Sequence, residues 1–170
     1  ELDIGIGVTD PAVHNANVSG VEFEPLFTET HLLFCGNKHP LFNETNIKKS
    51  QLKEHRFYQR GYAPDDGEKI GSTHLGAVIH DASPALALLL SGQFIGFFPA
   101  QVARKWVESG QIKPIIIAGV KDEIEIGYVS RQGENLPPGL KFFMEDFLDS
   151  FSKYRHELES GLFDKDSQLT

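Results

Sequence analysis

A chain of 170 residues with 40% hydrophobic and 11% aromatic content has material for one medium domain, or two small lobes, around a real core, which excludes a disordered chain. Its 24 acidic residues outnumber 16 basic ones for a net charge of −8, so it lacks the basic excess of a surface that grips nucleic acid. The single cysteine, Cys35, cannot close an internal disulfide, and no apolar run approaches the roughly 20 residues that cross a bilayer.

In chain order, Leu2, Ile4, Ile6 and Val8 alternate with Asp3, Gly5 and Gly7, the period-two pattern of a buried strand whose glycines admit a close neighbour. This strand starts at once, with no leader before it, as a fragment would. Thr9 to Gly20 is polar and loop-like. Val21 to Leu26 and Thr30 to Cys35 read as two further strands, and Gly36 to Pro40 breaks the second. Ile47 to His55 predicts a short helix, and Arg56 to Gln59 a short strand. Gly61 to Gly76 has no clear period, and Asp65-Asp66 within it reads as an exposed acidic turn. Ala77 to Ile79 is a strand. Ser83-Pro84 then opens a helix, with Ser83 as cap, that runs through Ala85 to Leu90 and stops at Gly92. Phe94 to Phe98 is a strand. Pro99 opens a helix with Val102, Ala103 and Trp106 on one side, and Gly110 ends it. Ile115 to Ile117 and Ile124 to Val129 are strands. Pro137-Pro138 opens a last helix with Leu140, Phe143, Phe147 and Phe151 at helical spacing, and the tail beyond Arg155 turns polar. Strands alternating with helices predict an α/β architecture with a largely parallel sheet.

The catalytic patterns fail one by one. His31, Cys35 and His39 are spaced by four, but on a strand four residues span about 13 Å, too far for two ligands on one zinc. His14, His55, His74 and His156 lie in polar contexts and read as surface histidines. Gly5-x-Gly7 lacks the third glycine of a dinucleotide loop, and there is neither a phosphate loop nor a Gly-x-Ser-x-Gly elbow. Cys35 reads as a buried structural thiol. No enzyme activity, metal or cofactor is expected.

The residues point instead to binding. The helix start around Asp81-Ala82-Ser83 offers free backbone amides and a positive dipole end to an anion. Arg60, following a strand, offers a fork to a carboxylate, against the plainer reading of a surface residue in a flexible loop. His80 is either a donor to a ligand or a satisfied strand-end residue.

The motifs in sequence order resemble one family. Ser83 to Pro99, SPALALLLSGQFIGFFP, resembles the helix-glycine-strand-proline signature of the LysR-type regulators. Gly92, Ile95 and Pro99 match it, while Phe94 stands in place of the family's second glycine and glycine appears at Gly96 instead. ARKWVESGQIKPI from Ala103 to Ile115, the opening strand, Pro25-Leu26-Phe27, Leu32-Leu33-Phe34, His39-Pro40-Leu41 and Glu125 to Tyr128 follow in the family's order. The resemblance covers Leu2 to Phe151.

It implies the effector-binding domain of a bacterial LysR regulator. The expected fold is α/β and bilobal, similar to type 2 periplasmic binding proteins, with two lobes joined by crossing strands and a small effector in the cleft. Residues 1–27 and 125–155 would form lobe I, lacking its first two strand-helix units, residues 32–117 lobe II, and 156–170 a polar tail. A winged helix-turn-helix head, not present in this sequence, would bind the DNA. By position, the family's effector contacts fall on Gly7, Val8 and Thr9, on Arg60 and Tyr62, and on His80, Asp81 and Ser83. Tyr58, Tyr62 and Phe57 are candidates to greet an aromatic acid or to join the core, with Tyr62 nearest the cleft. The expected effector is a small organic anion, an aromatic acid among the candidates. The expected assembly is a homodimer or tetramer in the bacterial cytoplasm, away from membranes. A periplasmic-type solute-binding protein, which shares the fold, is the competing reading.

Overall fold

The structure, a computed structural model, describes residues 4–8, 20–131 and 137–159. Leu2, most of the predicted loop from Thr9, and the tail from position 160 lie outside the described residues. The strands are β1 (Ile4–Val8), β2 (Val21–Gly36), β3 (Phe57–Arg60), β4 (Leu75–Ile79), β5 (Ile95–Pro99), β6 (Ile112–Pro114) and β7 (Lys121–Arg131). The helices are α1 (Asp66–Ile70), α2 (Ala82–Ser91), α3 (Ala100–Glu108) and α4 (Pro138–Glu159), with 3-10 turns at Pro40–Asn43 and Lys49–Glu54.

The chain folds as two compact units, residues 1–29 with 123–170, and residues 30–122. Both passages from one to the other run inside strands, β2 and β7.

In the first unit β1 pairs antiparallel with β7, from Ile4 opposite Ser130 to Val8 opposite Ile126, and β7 is also hydrogen-bonded to β2. Gly127 permits close packing there, since a Cβ would lie 2.5 Å from the Glu24 carbonyl oxygen and 2.6 Å from the Phe23 ring. The predicted aromatic face of α4 forms a ladder. Phe143 stacks on Phe147, Phe147 on Phe151 and Phe151 on Phe27, with centroids 5.9, 6.4 and 5.6 Å apart. The expectation that β1 is buried fails: Ile6 and Val8 are exposed.

In the second unit the strand order is β2-β5-β3-β4, with β6 added on β2. The expected largely parallel sheet proves mixed. The β2–β5 and β2–β6 pairs are antiparallel, and β3 runs parallel to β4 and β5. Leu33, Cys35, Phe57, Ile95 and Phe97 point into a core closed by Leu41, Leu52, Ile70, Ile115 and Val120. Buried apolar area of this kind contributes roughly 25 cal/mol per Å². Cys35 is fully buried, which pushes its thiol up to about 11 against a smaller opposing pull from Lys113, so it stays protonated and inert at neutral pH.

Several element boundaries differ from expectation for identifiable reasons. The two strands predicted across 21–35 are one, β2, which continues through Pro25. The 47–55 segment closes as a 3-10 turn. The strand expected at Ile115–Ile117 lies earlier, at β6, because Ile112–Pro114 supply the pairing to Phe34–Gly36, and only the Ile115 amide continues it, to the Leu33 carbonyl at 2.7 Å. Within the unpatterned 61–76 stretch lies α1, too short to display a helical period. Ser83 is not the cap of α2: Asp81 is, its carboxylate accepting from the Ser83 amide at 3.1 Å. Gly92 ends α2 in the left-handed conformation, at φ +73, as predicted.

Candidate functional site

The parallel pairing of β3 and β4 sets Arg60 beside Ile79, so the residues after both strands emerge together at the same end of the sheet. The Gly61 amide donates to the Ile79 carbonyl at 2.7 Å, which fixes that alignment. In open α/β sheets ligands bind outside the carboxyl ends of strands, for the loops there are free to carry polar groups. Here that edge carries Tyr62 from one loop and His80, Asp81 and Ser83 from the other, all exposed. The His80 ring lies directly over Gly61, where a Cβ would sit 2.1 Å from its Cε1, so Gly61 is needed small.

The amides at the start of α2 are less available than expected. Asp81 already occupies the Ser83 amide, and Pro84 has none. What remains on offer is the Ala82 amide, the exposed Ser83 hydroxyl and the Asp81 carboxylate, an acceptor. This edge therefore suits a ligand with hydroxyl groups as well as an anionic one.

Arg60 occupies a different environment from either expectation. It is 1% exposed and so is Asp66, which corrects the flexible-loop reading of Arg60 and, for Asp66 though not for the exposed Asp65, the exposed-turn reading of Asp65-Asp66. The fork expected to meet a ligand's carboxylate meets Asp66 instead: Nε donates to Oδ2 at 2.9 Å and Nη2 to Oδ1 at 2.5 Å. Nη2 also donates to Asp122 at 2.6 Å, and Nη1 lies 2.9 Å from His31 Nδ1. A guanidinium has only donors, so Nδ1 is the acceptor of that bond. The Arg60 backbone amide adds a further bond to Asp66, at 3.0 Å. The rings of Tyr62 and Phe97 lie 5.4 and 5.0 Å from the guanidinium carbon.

The electrostatics follow from this geometry. Burial pulls the Arg60 pKa down, but hydrogen bonds and charge from Asp66 and then Asp122 outweigh it and hold it above its ordinary value. Burial alone would raise Asp122, yet Lys69, 2.9 Å away, and Arg60 hold it below the usual carboxylate range. Sequence spacing could not reveal these partners, because Asp122 is 62 positions from Arg60.

Tyr58 and Phe57 belong to the core. The Tyr58 hydroxyl donates to the Phe97 carbonyl at 2.8 Å, and burial pushes that phenol well above its ordinary range. Its ring lies on Gly96, where a Cβ would come within 2.3 Å, which explains the glycine at that position. Gly7 and Val8 are exposed at the end of β1 in the first unit, and Thr9 lies outside the described residues. His55 is half-buried and tilted against His39, 4.7 Å between centroids, rather than free on the surface. Among the described residues no group of three or more His, Cys, Asp or Glu is placed to hold a metal ion.

A protein-family model described as the LysR substrate binding domain matches residues 1–152. The HTH-type transcriptional activator BauR of Pseudomonas aeruginosa is 27% identical over 153 residues, 84% of this chain and 50% of BauR. The chain thus spans about half the length of that curated relative. Among solved structures, the regulatory domain of HypT from Salmonella typhimurium in its apo form matches with a TM-score of 0.69 at 12% identity, over 89% of this chain and 73% of that one. The effector binding domain of QuiR in complex with shikimate matches with a TM-score of 0.67 at 16% identity, over 90% and 73%. These likenesses show the fold, an α/β fold of the periplasmic-binding-protein-like type 2 class found in LysR regulatory domains.

Proposed function

Because the chain belongs to the LysR substrate-binding domain family, we propose that it is the effector-sensing and oligomerisation part of a bacterial transcription regulator. In this reading a small molecule bound here changes how a winged helix-turn-helix head, carried elsewhere in the protein, holds DNA. The chain's charge of −8 fits this division of labour, since the grip on DNA then falls to another part. A homodimer or tetramer in the cytoplasm is the assembly proposed, a symmetric dimer being the commonest form of a soluble oligomer. Among the described residues no helix is long and apolar enough to cross a membrane. The family match favours this regulator over a periplasmic-type solute-binding protein.

The observation that carries the binding reading is the polar edge formed after β3 and β4. Tyr62, His80, Asp81 and Ser83 stand exposed at the strand ends, supported from below by a filled core. We assign to them a small hydroxylated organic acid. Asp81 accepts from its hydroxyls, Ser83 and the Ala82 amide bond its oxygens, His80 faces its carboxylate, and the Tyr62 ring covers an apolar or aromatic face. Arg60 supports this edge from beneath rather than touching the ligand.

The test is a thermal-shift screen of shikimate, benzoate and small hydroxy acids. At a hundredfold excess over its dissociation constant, a true effector raises the melting temperature by about 5–10 °C. Tyr62→Ala and Asp81→Ala are expected to abolish that rise. A screen in which no acid of this class shifts wild-type protein, or a shift untouched by both substitutions, contradicts the proposal.

A further inference from the structure

The partners of Arg60 come from three separate places in the chain. Two of them mark where the chain enters and leaves the second unit. His31 is the second residue of that unit, on β2, and Asp122 is its last, on β7. The third, Asp66, opens α1 and closes the turn that begins at Arg60 itself. Within that turn the Ala63 amide donates to the Arg60 carbonyl at 3.0 Å, and the Asp66 amide to the Ala63 carbonyl at 3.2 Å. One carboxylate therefore holds the turn at both ends, and the same guanidinium reaches both passing strands.

Burying such a cluster is a poor route to stability alone, because desolvating the ions offsets most of their attraction and an apolar trio of similar volume would serve as well or better. What the charges add is direction. Each nitrogen of the planar guanidinium has a fixed bearing, so one side chain can hold three backbones in register as an apolar contact cannot. Lys69 duplicates one of these ties: from α1 it meets Asp122 Oδ1 at 2.9 Å and Asp65 at 3.3 Å. Asp122 is thus held by two cations, both from the β3–α1 region. Tyr62, whose ring lies on the Arg60 guanidinium, is the exposed end of the arrangement.

We propose that Arg60 is a positioning residue that fastens the 61–65 turn, with the Tyr62 ring, to both crossover strands at once. A ligand that moves Tyr62 then alters the two strands through which the second unit is joined to the rest of the chain. The identity of Tyr62 as a ligand contact rests on the effector reading above. The mechanical link between turn and strands does not.

The test is amide hydrogen exchange on the ligand-free protein, comparing wild type with Asp122→Asn, which keeps the side-chain shape and removes the charge. Loss of charge-assisted bonds at one end is expected to speed exchange by about tenfold both at 30–33 and 121–123 and in the 61–66 turn, which Asp122 does not adjoin in sequence. The β5 amides keep wild-type protection. The reciprocal variant, Tyr62→Ala, removes the ring that lies on the Arg60 guanidinium and is expected to speed exchange at 121–123; it carries the test if Asp122→Asn fails to fold. Acceleration confined to the flanks of the substituted residue overturns the proposal, as does a uniform acceleration that includes β5. No ligand is present, so this result is independent of the carboxylate screen, and failure of either leaves the other standing.

Discussion

In the second unit a guanidinium and a carboxylate lie 1% exposed, whereas on α4 of the first unit Phe142 and Phe143 are 68% and 48% exposed. Residue type alone would place each group the other way round. Arg60 is inside because Asp66, Asp122 and His31 together take four hydrogen bonds from its guanidinium, so its charge leaves water without losing its partners. The α4 aromatics keep their helical register and stack along the helix, but stacking of that kind does not remove them from solvent. Burial is set by the neighbours a fold supplies, and polarity only sets the cost of getting it wrong.

Substitutions turn that contrast into numbers. The largest loss is expected from Arg60→Ala, which strands buried Asp66 without its cation and should lower unfolding stability by about 3–5 kcal/mol in urea titrations. A loss under about 1 kcal/mol, the range of an exposed ion pair, would mean that the cluster is solvated. Gly96→Ala comes next. Its new methyl meets the Tyr58 ring between two filled strands, and overpacking of this kind costs about 1–3 kcal/mol by the same measurement.

A pH titration probes a third buried polar group. Burial, and secondarily the neighbouring His55, lowers His39 to about 4, and its Nδ1 accepts from the Leu41 amide at 3.2 Å. The unfolded chain takes up this proton near pH 6.5 and the folded chain only near 4. Stability therefore falls as pH drops through that window and is insensitive to His39 above it. His39→Gln should flatten the slope of melting temperature against pH between those values, and an unchanged slope would assign it to other groups. The smallest effect is expected on the first unit's surface. Phe143→Ala loses one exposed stacking pair and should change stability by about 0.5 kcal/mol or less.

Much of the fold was legible because it depends on short-range pattern. The Gly92 stop, the Pro99 junction between β5 and α3, and the aromatic spacing of α4 are local signals, and each element appears where its residues imply. The order of weak motifs from Leu2 to Phe151 was enough to identify the family now matched over residues 1–152. The differences fall where one specific partner, near or far in the chain, decides. Asp66 looked like a solvated turn because Arg60 neutralises it only after the 61–65 turn folds back. Asp81, not Ser83, caps α2, although either side chain could have done so by type. The exposed edge at Tyr62, His80, Asp81 and Ser83 was readable as strand ends, but the removal of Arg60 from that edge required Asp122, far along the chain, to be in view.

The most direct test of the buried cluster is a double-mutant cycle between Arg60 and Asp66, using Arg60→Met, Asp66→Leu and the pair, read by urea unfolding. If the two side chains form one buried, mutually dependent unit, each single substitution is costly, the double costs less than their sum, and the coupling is about 3 kcal/mol. Additive losses, or a coupling within about 0.5 kcal/mol of zero, would contradict the account and return Arg60 to the list of groups free to meet a ligand.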